Sequence, residues 1–182
     1  IAQKLYQEWF IHYRFPGHEQ AQWQNTDQGK IPAGWEVKEL GELITIRRGK
    51  TITKKKAVPE DVPVVAGGLQ PAYFHNVANT TAPVITVSAS GANAGYVNLY
   101  TIPVWASDCS YIDTETTPYV YYYYLLMKER QVEITRMQTG AAQPHVYPKD
   151  LMRLEVLDIP LELLDEFTQK ITPMFQLMAG LK

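Results

Sequence analysis

The sequence predicts an α+β fold: a β-rich body flanked by two helices that pair as an antiparallel coiled-coil arm. Three observations predict it. Ile1, Leu5, Trp9 and Tyr13 recur every four residues near the start, the spacing of one helix face. Near the end, Leu164, Phe167, Ile171, Met174, Met178 and Leu181 are spaced 3, 4, 3, 4, 3, the a/d seam of a helix lying along another helix. Between them, β-branched and aromatic runs are broken by Gly and Pro, as in short strands joined by turns.

The first helix ends at Pro16-Gly17, where proline and glycine cannot continue it. Residues 17–30 are polar and aperiodic, so they read as a linker. Ile31-Pro32-Ala33-Gly34-Trp35 is a turn into the body, followed by an apolar-periodic segment from Val37 to Ile46. Val62–Val65 contains Pro63 and is expected to be at best an edge strand. Residues 69–76 read as an irregular loop, residues 83–88 (PVITVS) as a buried strand, and residues 90–95 as a turn. Residues 96–99, 104–106 and 110–112 add further strand character. Thr117 is suited to cap a helix with Pro118 at its first position, running to about Arg130. Residues 131–137 are open between helix and loop, 140–144 form a turn, and 151–157 give a helical turn and a strand. Pro173 inside the last helix predicts a kink or a restart near Ile171.

Composition bounds the function. The chain has 182 residues, 46% apolar and 20% charged, with net charge −2, which suits one globular domain with an appendage. A single cysteine, Cys109, excludes an internal disulfide and a CxxC zinc site and points to a reducing, cytoplasmic setting. No stretch has the length of a membrane helix. Both ends fall inside helical patterns, so a fragment or the ordered part of something longer is expected.

The charge is segregated. Six of the 17 basic residues (Arg47, Arg48, Lys50, Lys54, Lys55 and Lys56) lie between positions 47 and 56, with no acid among them. Such a run is either a solvated loop or a phosphate-contacting one. Arginines suit bidentate readout of guanine, and lysines suit phosphates. Gly49-Lys50-Thr51 is not a P-loop, because Ile44 stands where that motif needs glycine. Ser88-Ala89-Ser90-Gly91 lacks nucleophile-elbow spacing. His12, His18, His75 and His145 lack metal-ligand spacing. Cys109 has no nearby histidine and reads as a buried, inert thiol. The Tyr121–Tyr124 cluster reads as core packing. No catalytic or metal residue is assigned.

Four stretches resemble one known family. They are LYQEWFIHYRF at residues 5–15, IPAGWEVKELGELITIRRGK at 31–50, Gly67-Gly68 with Pro71, Tyr73 and ITVSASGANAGYV at 85–97, and GAAQPHVYPKDLMRLEV at 140–156. In order and spacing they are similar to the specificity (S) subunit of type I restriction-modification enzymes, over one target-recognition domain and parts of its conserved helices. The resemblance implies a conserved-region helix at 1–16, a linker at 17–30, a target-recognition domain at 31–160 and the start of a second conserved helix at 161–182. It implies a non-catalytic subunit that reads half of a split double-stranded DNA target. Modification subunits would bind S-adenosylmethionine and methylate adenine, and a restriction subunit would use ATP and Mg, so no cofactor is expected in this chain. Thr51, Gln70, Tyr73, Ser90, Asn93, Gln143 and His145 join the basic residues as DNA-contact candidates, being polar groups in loops near the family motifs. Leu5, Trp9, Leu164, Phe167, Ile171, Met174 and Met178 are the expected partner-helix seam, and an isolated half with this seam exposed is expected to self-associate as a dimer.

Some features depart from the family pattern. Pro160 stands alone where two prolines are usual, Phe167-Thr168 replaces an acidic-Gln pair, and Pro173 is unexpected in a long helix. A protein-interaction module with a helical oligomerisation stalk is the main alternative. A self-contained enzyme is a third, opposed by the missing cofactor loop and carboxylate cluster.

Overall fold

Adjacent residues of a strand point to opposite faces, so placing the basic run depends first on how the strands pair. In the computed structural model, which describes residues 1–27, 29–140 and 142–180, the chain forms two compact units. One comprises Ile1–Lys38 with Glu155–Lys182, and the other Glu39–Leu154. These divisions fall inside the span 31–160 expected for the recognition domain.

The first unit holds both chain ends. Helix α1 (Ala2–Tyr6) passes into a π-helical turn, Gln7–Ile11. Strands β1 (Trp23–Thr26) and β2 (Gly29–Pro32) form an antiparallel hairpin, so part of the expected linker is a paired structure. Its alternation is hidden because both strands are largely polar. Gly29, at φ 110, makes a turn that a side chain would strain. Strand β3 (Glu36–Glu39) pairs with β11 (Glu155–Asp158). Within this pair Lys38 donates to Asp158 at 2.7 Å.

Helix α6 (Leu161–Gly180) runs without a restart through Pro173. Its buried residues are Leu164, Phe167, Ile171 and Phe175. The expected seam therefore shifts at its C-terminal end. Phe175 takes the inward position, Met174 is half-buried and Met178 is 52% exposed, because a straight helix turns 3.6 residues at a time and drifts off a seven-residue repeat. Leu181 lies outside the described residues. Phe167 meets Phe10 edge-on at 4.8 Å, Trp9 at 5.3 Å and Tyr6 at 6.3 Å. Leu5 is only half-buried. The prediction that Trp9, Leu164 and Ile171 are exposed in an isolated half is corrected: all three are buried within this unit. Trp35 closes the cluster against Phe10 at 6.2 Å and stacks with Phe15 at 5.3 Å.

The second unit begins with helix α2 (Leu40–Leu43), started by a reciprocal capping box between Glu39 and Glu42. Leu40, Ile44 and Ile46 are buried, as the apolar periodicity predicts. A four-stranded sheet follows in the order β4 (Arg47–Arg48), β10 (Cys109–Asp113), β7 (Val84–Ser88), β8 (Val97–Tyr100). Every residue of β7 and β10 is buried, which the apolar run of β7 announces in the sequence.

A three-stranded sheet has the order β6 (Tyr73–His75), β5 (Val62–Val65), β9 (Trp105–Ala106). Strand β5 is central, not an edge, and β6 lies where a loop was expected. Pro63 is tolerated because β9 pairs only with Val64 and Val65. At Pro63 the strand has a single partner, Phe74, and its missing N–H leaves no gap in a second ladder. Between the sheets, Val65, Val84, Val104, Ala106, Cys109 and Tyr111 make one core cluster.

Helix α3 (Val120–Glu129) buries Tyr122 and Tyr123 and leaves Tyr121 and Tyr124 half-buried. Thr117 Oγ1 accepts from the Tyr119 amide at 3.2 Å in the turn before the helix. The N-cap is Tyr119 and the first helical residue Val120, so the expectation of Thr117 as cap and Pro118 as first helical residue is corrected by two positions. Residues 131–136, open in the sequence, form helix α4 (Gln131–Arg136). Helix α5 (Pro148–Leu151) precedes β11.

Candidate nucleic-acid interface

The basic run is pinned along its backbone. Strand β4 is an edge strand, with Arg48 opposite Ser110 and Arg47 opposite Tyr111. After it, the Gly49 amide donates to the Cys109 carbonyl at 2.8 Å and the Lys50 amide to that of Ala106 at 2.9 Å. A Cβ on Gly49 would stand 2.3 Å from the Ser107 carbonyl oxygen, so only glycine fits this approach. The Lys50 carbonyl accepts from Trp105 Nε1 at 2.8 Å, and the Ile52 carbonyl from the Tyr73 hydroxyl at 2.6 Å. The Ile52 amide donates to Ser107 Oγ at 3.3 Å, and the Val58 amide to His75 Nδ1 at 3.0 Å. The candidate Tyr73 therefore spends its hydroxyl holding the run.

Lys50, Thr51 and Lys54–56 are exposed along this backbone. Among the described residues, none of Lys50, Lys54, Lys55 and Lys56 has an acidic partner within ion-pair distance. The two arginines differ. Arg47 donates to Glu115 at 2.7 Å, and bonds to Glu115 and then Tyr111 raise its pKa. Arg48 lies 3.9 Å from Asp108 Oδ1, with its guanidinium 5.6 Å from the centre of the Tyr147 ring. The expected arginine pair is thus split between opposite faces of β4, because consecutive strand residues alternate.

Two sequence candidates, Ser90 and His145, converge around Arg48. Ser90 Oγ donates to the other carboxylate oxygen of Asp108. Ser90 bridges His145, and the His145 ring stacks on Tyr147 at 5.5 Å and 11°. Lys149 adds a second cation 5.7 Å from the Tyr147 ring centre. The loop containing Asn93 is tied to that of Gln143 by the Gly91 amide, which donates to the Pro144 carbonyl at 3.0 Å. Asn93 is half-buried, with its carbonyl accepting from the Tyr96 amide, and Gln143 is exposed. Gly67 packs against Ser90, where a Cβ would stand 2.7 Å from the Ser90 carbonyl oxygen, and this places the exposed Gln70 loop beside the others. Ala141, in the expected 140–144 turn, lies outside the described residues.

Asp108, Tyr147, Lys149 and Glu115 were not among the sequence candidates. Tyr147-Pro148-Lys149 stood in a quoted motif, and an aromatic two residues from a lysine was the available signal. Burial pushes the Cys109 thiol up to about 12, so at neutral pH it is a protonated core side chain. Among the described residues no group of His, Cys, Asp and Glu is arranged to hold a metal, and no helix is long and apolar enough to cross a membrane. What the surface offers is cations, aromatic faces and hydrogen-bonding loops, suited to binding a polyanion.

The sequence profile described as "Type I restriction modification DNA specificity domain" matches residues 32–171. A search of curated proteins finds no match. The type I restriction-modification system S subunit from M. genitalium is similar in structure, with a TM-score of 0.58 and 21% identity, over 69% of this chain and 34% of that one. The HsdS subunit from Thermoanaerobacter tengcongensis gives 0.55 and 19%, over 100% of this chain and 44% of that one. A chain from a structure titled for complex assembly and conformational transition of the type I R-M system gives 0.54 and 18%, over 100% and 47%. At these identities the likeness is one of fold. The chain spans less than half the length of each of these relatives.

Proposed function

The chain belongs to the type I restriction modification DNA specificity domain family, and from that premise we propose that it reads one half of a split double-stranded DNA target. The reading places DNA against the second unit, with Lys50 and Lys54–56 on phosphates and the loops around Arg48 toward base edges. The observation that carries it is the pinned basic run, whose exposed lysines are uncommitted to acids. A rigid backbone under mobile cations lets phosphate contact set register at little ordering cost.

In this proposal the chain does no chemistry. Modification subunits, carrying S-adenosylmethionine, methylate adenine at the site it selects. A restriction subunit, using ATP and Mg, cleaves. The two helical segments of the first unit serve as spacer and docking elements, and the antiparallel coiled-coil arm and self-association belong to this proposal. Within α6, Leu177 at 67% and Met178 at 52% exposure are the apolar side chains available to a partner helix.

The test is fluorescence anisotropy with a labelled duplex across a salt series. Each phosphate neutralised contributes a slope of about −0.9 in log K against log salt. Lys54→Ala, Lys55→Ala and Lys56→Ala combined are expected to flatten the slope by about 2.7. An unchanged slope removes the turn from the interface. Binding of a protein partner without salt dependence, and no duplex binding, favours the interaction-module alternative.

A further inference from the structure

We infer that Arg48 is the guanine-reading side chain of this domain, and that Asp108 and Tyr147 are positioning residues that aim it. The inference rests on the DNA-reading proposal and deepens it, because that proposal leaves open which arginine reads sequence.

The two arginines are adjacent in sequence and chemically identical, and their surroundings separate them. Arg47 is held at 2.7 Å by Glu115. Redirecting it to a base means breaking a short charge-assisted bond and leaving a carboxylate beside DNA. Arg48 has a looser carboxylate contact, 3.9 Å, and a more exposed side chain, 54% against 39%. A guanidinium has five N–H donors in a planar fork, so one long contact leaves the edge needed for guanine O6 and N7 available.

The surroundings of Arg48 constrain its orientation. Asp108 divides its carboxylate, with Oδ1 toward Arg48 and Oδ2 accepting from Ser90. The Ala89 amide donates to the Asp108 carbonyl at 3.2 Å, so the backbone on both sides of this pair is joined. Tyr147 provides a flat face under the guanidinium and is fixed at the start of α5, where its amide donates to Asp150 Oδ2 at 2.9 Å. His145 stacks on the same ring and is fixed by paired bonds with Thr139 at 2.8 and 2.9 Å. An arginine held between a carboxylate at 3.9 Å and an aromatic ring at 5.6 Å has fewer orientations to lose on binding a base, which favours a specific contact.

The experiment is selection of bound duplexes from a randomised library by the full chain, followed by sequencing. Arg48→Lys, Asp108→Asn, Tyr147→Ala and Arg47→Lys are compared after thermal melting confirms folding. The wild-type chain is expected to enrich a motif containing an invariant guanine. Arg48→Lys keeps the charge but loses the fork, so preference at that guanine is expected to fall roughly 5- to 150-fold, with other positions retained. Asp108→Asn and Tyr147→Ala are expected to relax the same position partially, whereas a purely structural role would weaken all positions together. Arg47→Lys is expected to leave the motif intact. If Arg48→Lys keeps the guanine, or Arg47→Lys loses it, the assignment is overturned while the DNA-reading proposal stands. A wild-type chain that enriches no motif overturns both.

Discussion

Replacing Gly49 by alanine tests whether the basic run is built onto the sheet. The added Cβ would stand 2.3 Å from the Ser107 carbonyl oxygen and 2.7 Å from the Ala106 carbonyl carbon and oxygen. These are backbone atoms, which cannot swing aside as a long side chain would. The chain must lift, weakening the bonds from the Gly49 amide to Cys109 and from the Lys50 amide to Ala106. Two such bonds and the local strain amount to about 2–4 kcal/mol. At about 2–4 °C per kcal/mol for a domain of this size, the melting midpoint falls by about 4–16 °C. Gly180, with nothing within 4 Å of its added Cβ, is the control, and its alanine variant should change stability by less than about 0.5 kcal/mol. Circular dichroism melting reads both. A Gly49→Ala chain melting at the wild-type temperature would mean the run does not lie on residues 106–107, and the argument for a preset lysine array would fail with it.

Two other predictions concern the cores. Phe167→Ala removes the ring shared by Tyr6, Trp9 and Phe10 and should cost about 3–5 kcal/mol in a denaturant titration. Met178→Ala should cost less than about 0.5 kcal/mol, whereas equal losses would restore the a/d seam as the packing surface. Cys109, 1% exposed with its thiol pushed up to about 12, should resist an aromatic disulfide reagent at pH 8 until denaturant is added. Prompt reaction in the folded protein would contradict the burial.

Local pattern carried much of the architecture. Strand β7 was legible from its β-branched run and α6 from its apolar period, because each signal lies within a few residues of the structure it specifies. Thr117-Pro118 announced α3 but misplaced its start by two residues. The β1–β2 hairpin was not legible, since Trp23 and Gln24 pair with Pro32 and Ile31 and the strands show no apolar alternation. Pro63 misled for a related reason: its effect depends on where β9 begins, some forty residues on.

For the candidate site, the sequence by itself determined that positive charge is concentrated between positions 47 and 56, and that its order of motifs is a family's order. Only the tertiary structure decided what those charges face. Arg47 and Arg48 are neighbours whose roles diverge because β4 pairs with Tyr111 and Ser110, residues more than sixty positions away. That pairing turns one arginine toward Glu115 and the other toward Asp108 and Tyr147. Side-chain direction follows register, and register is a long-range property of the folded sheet.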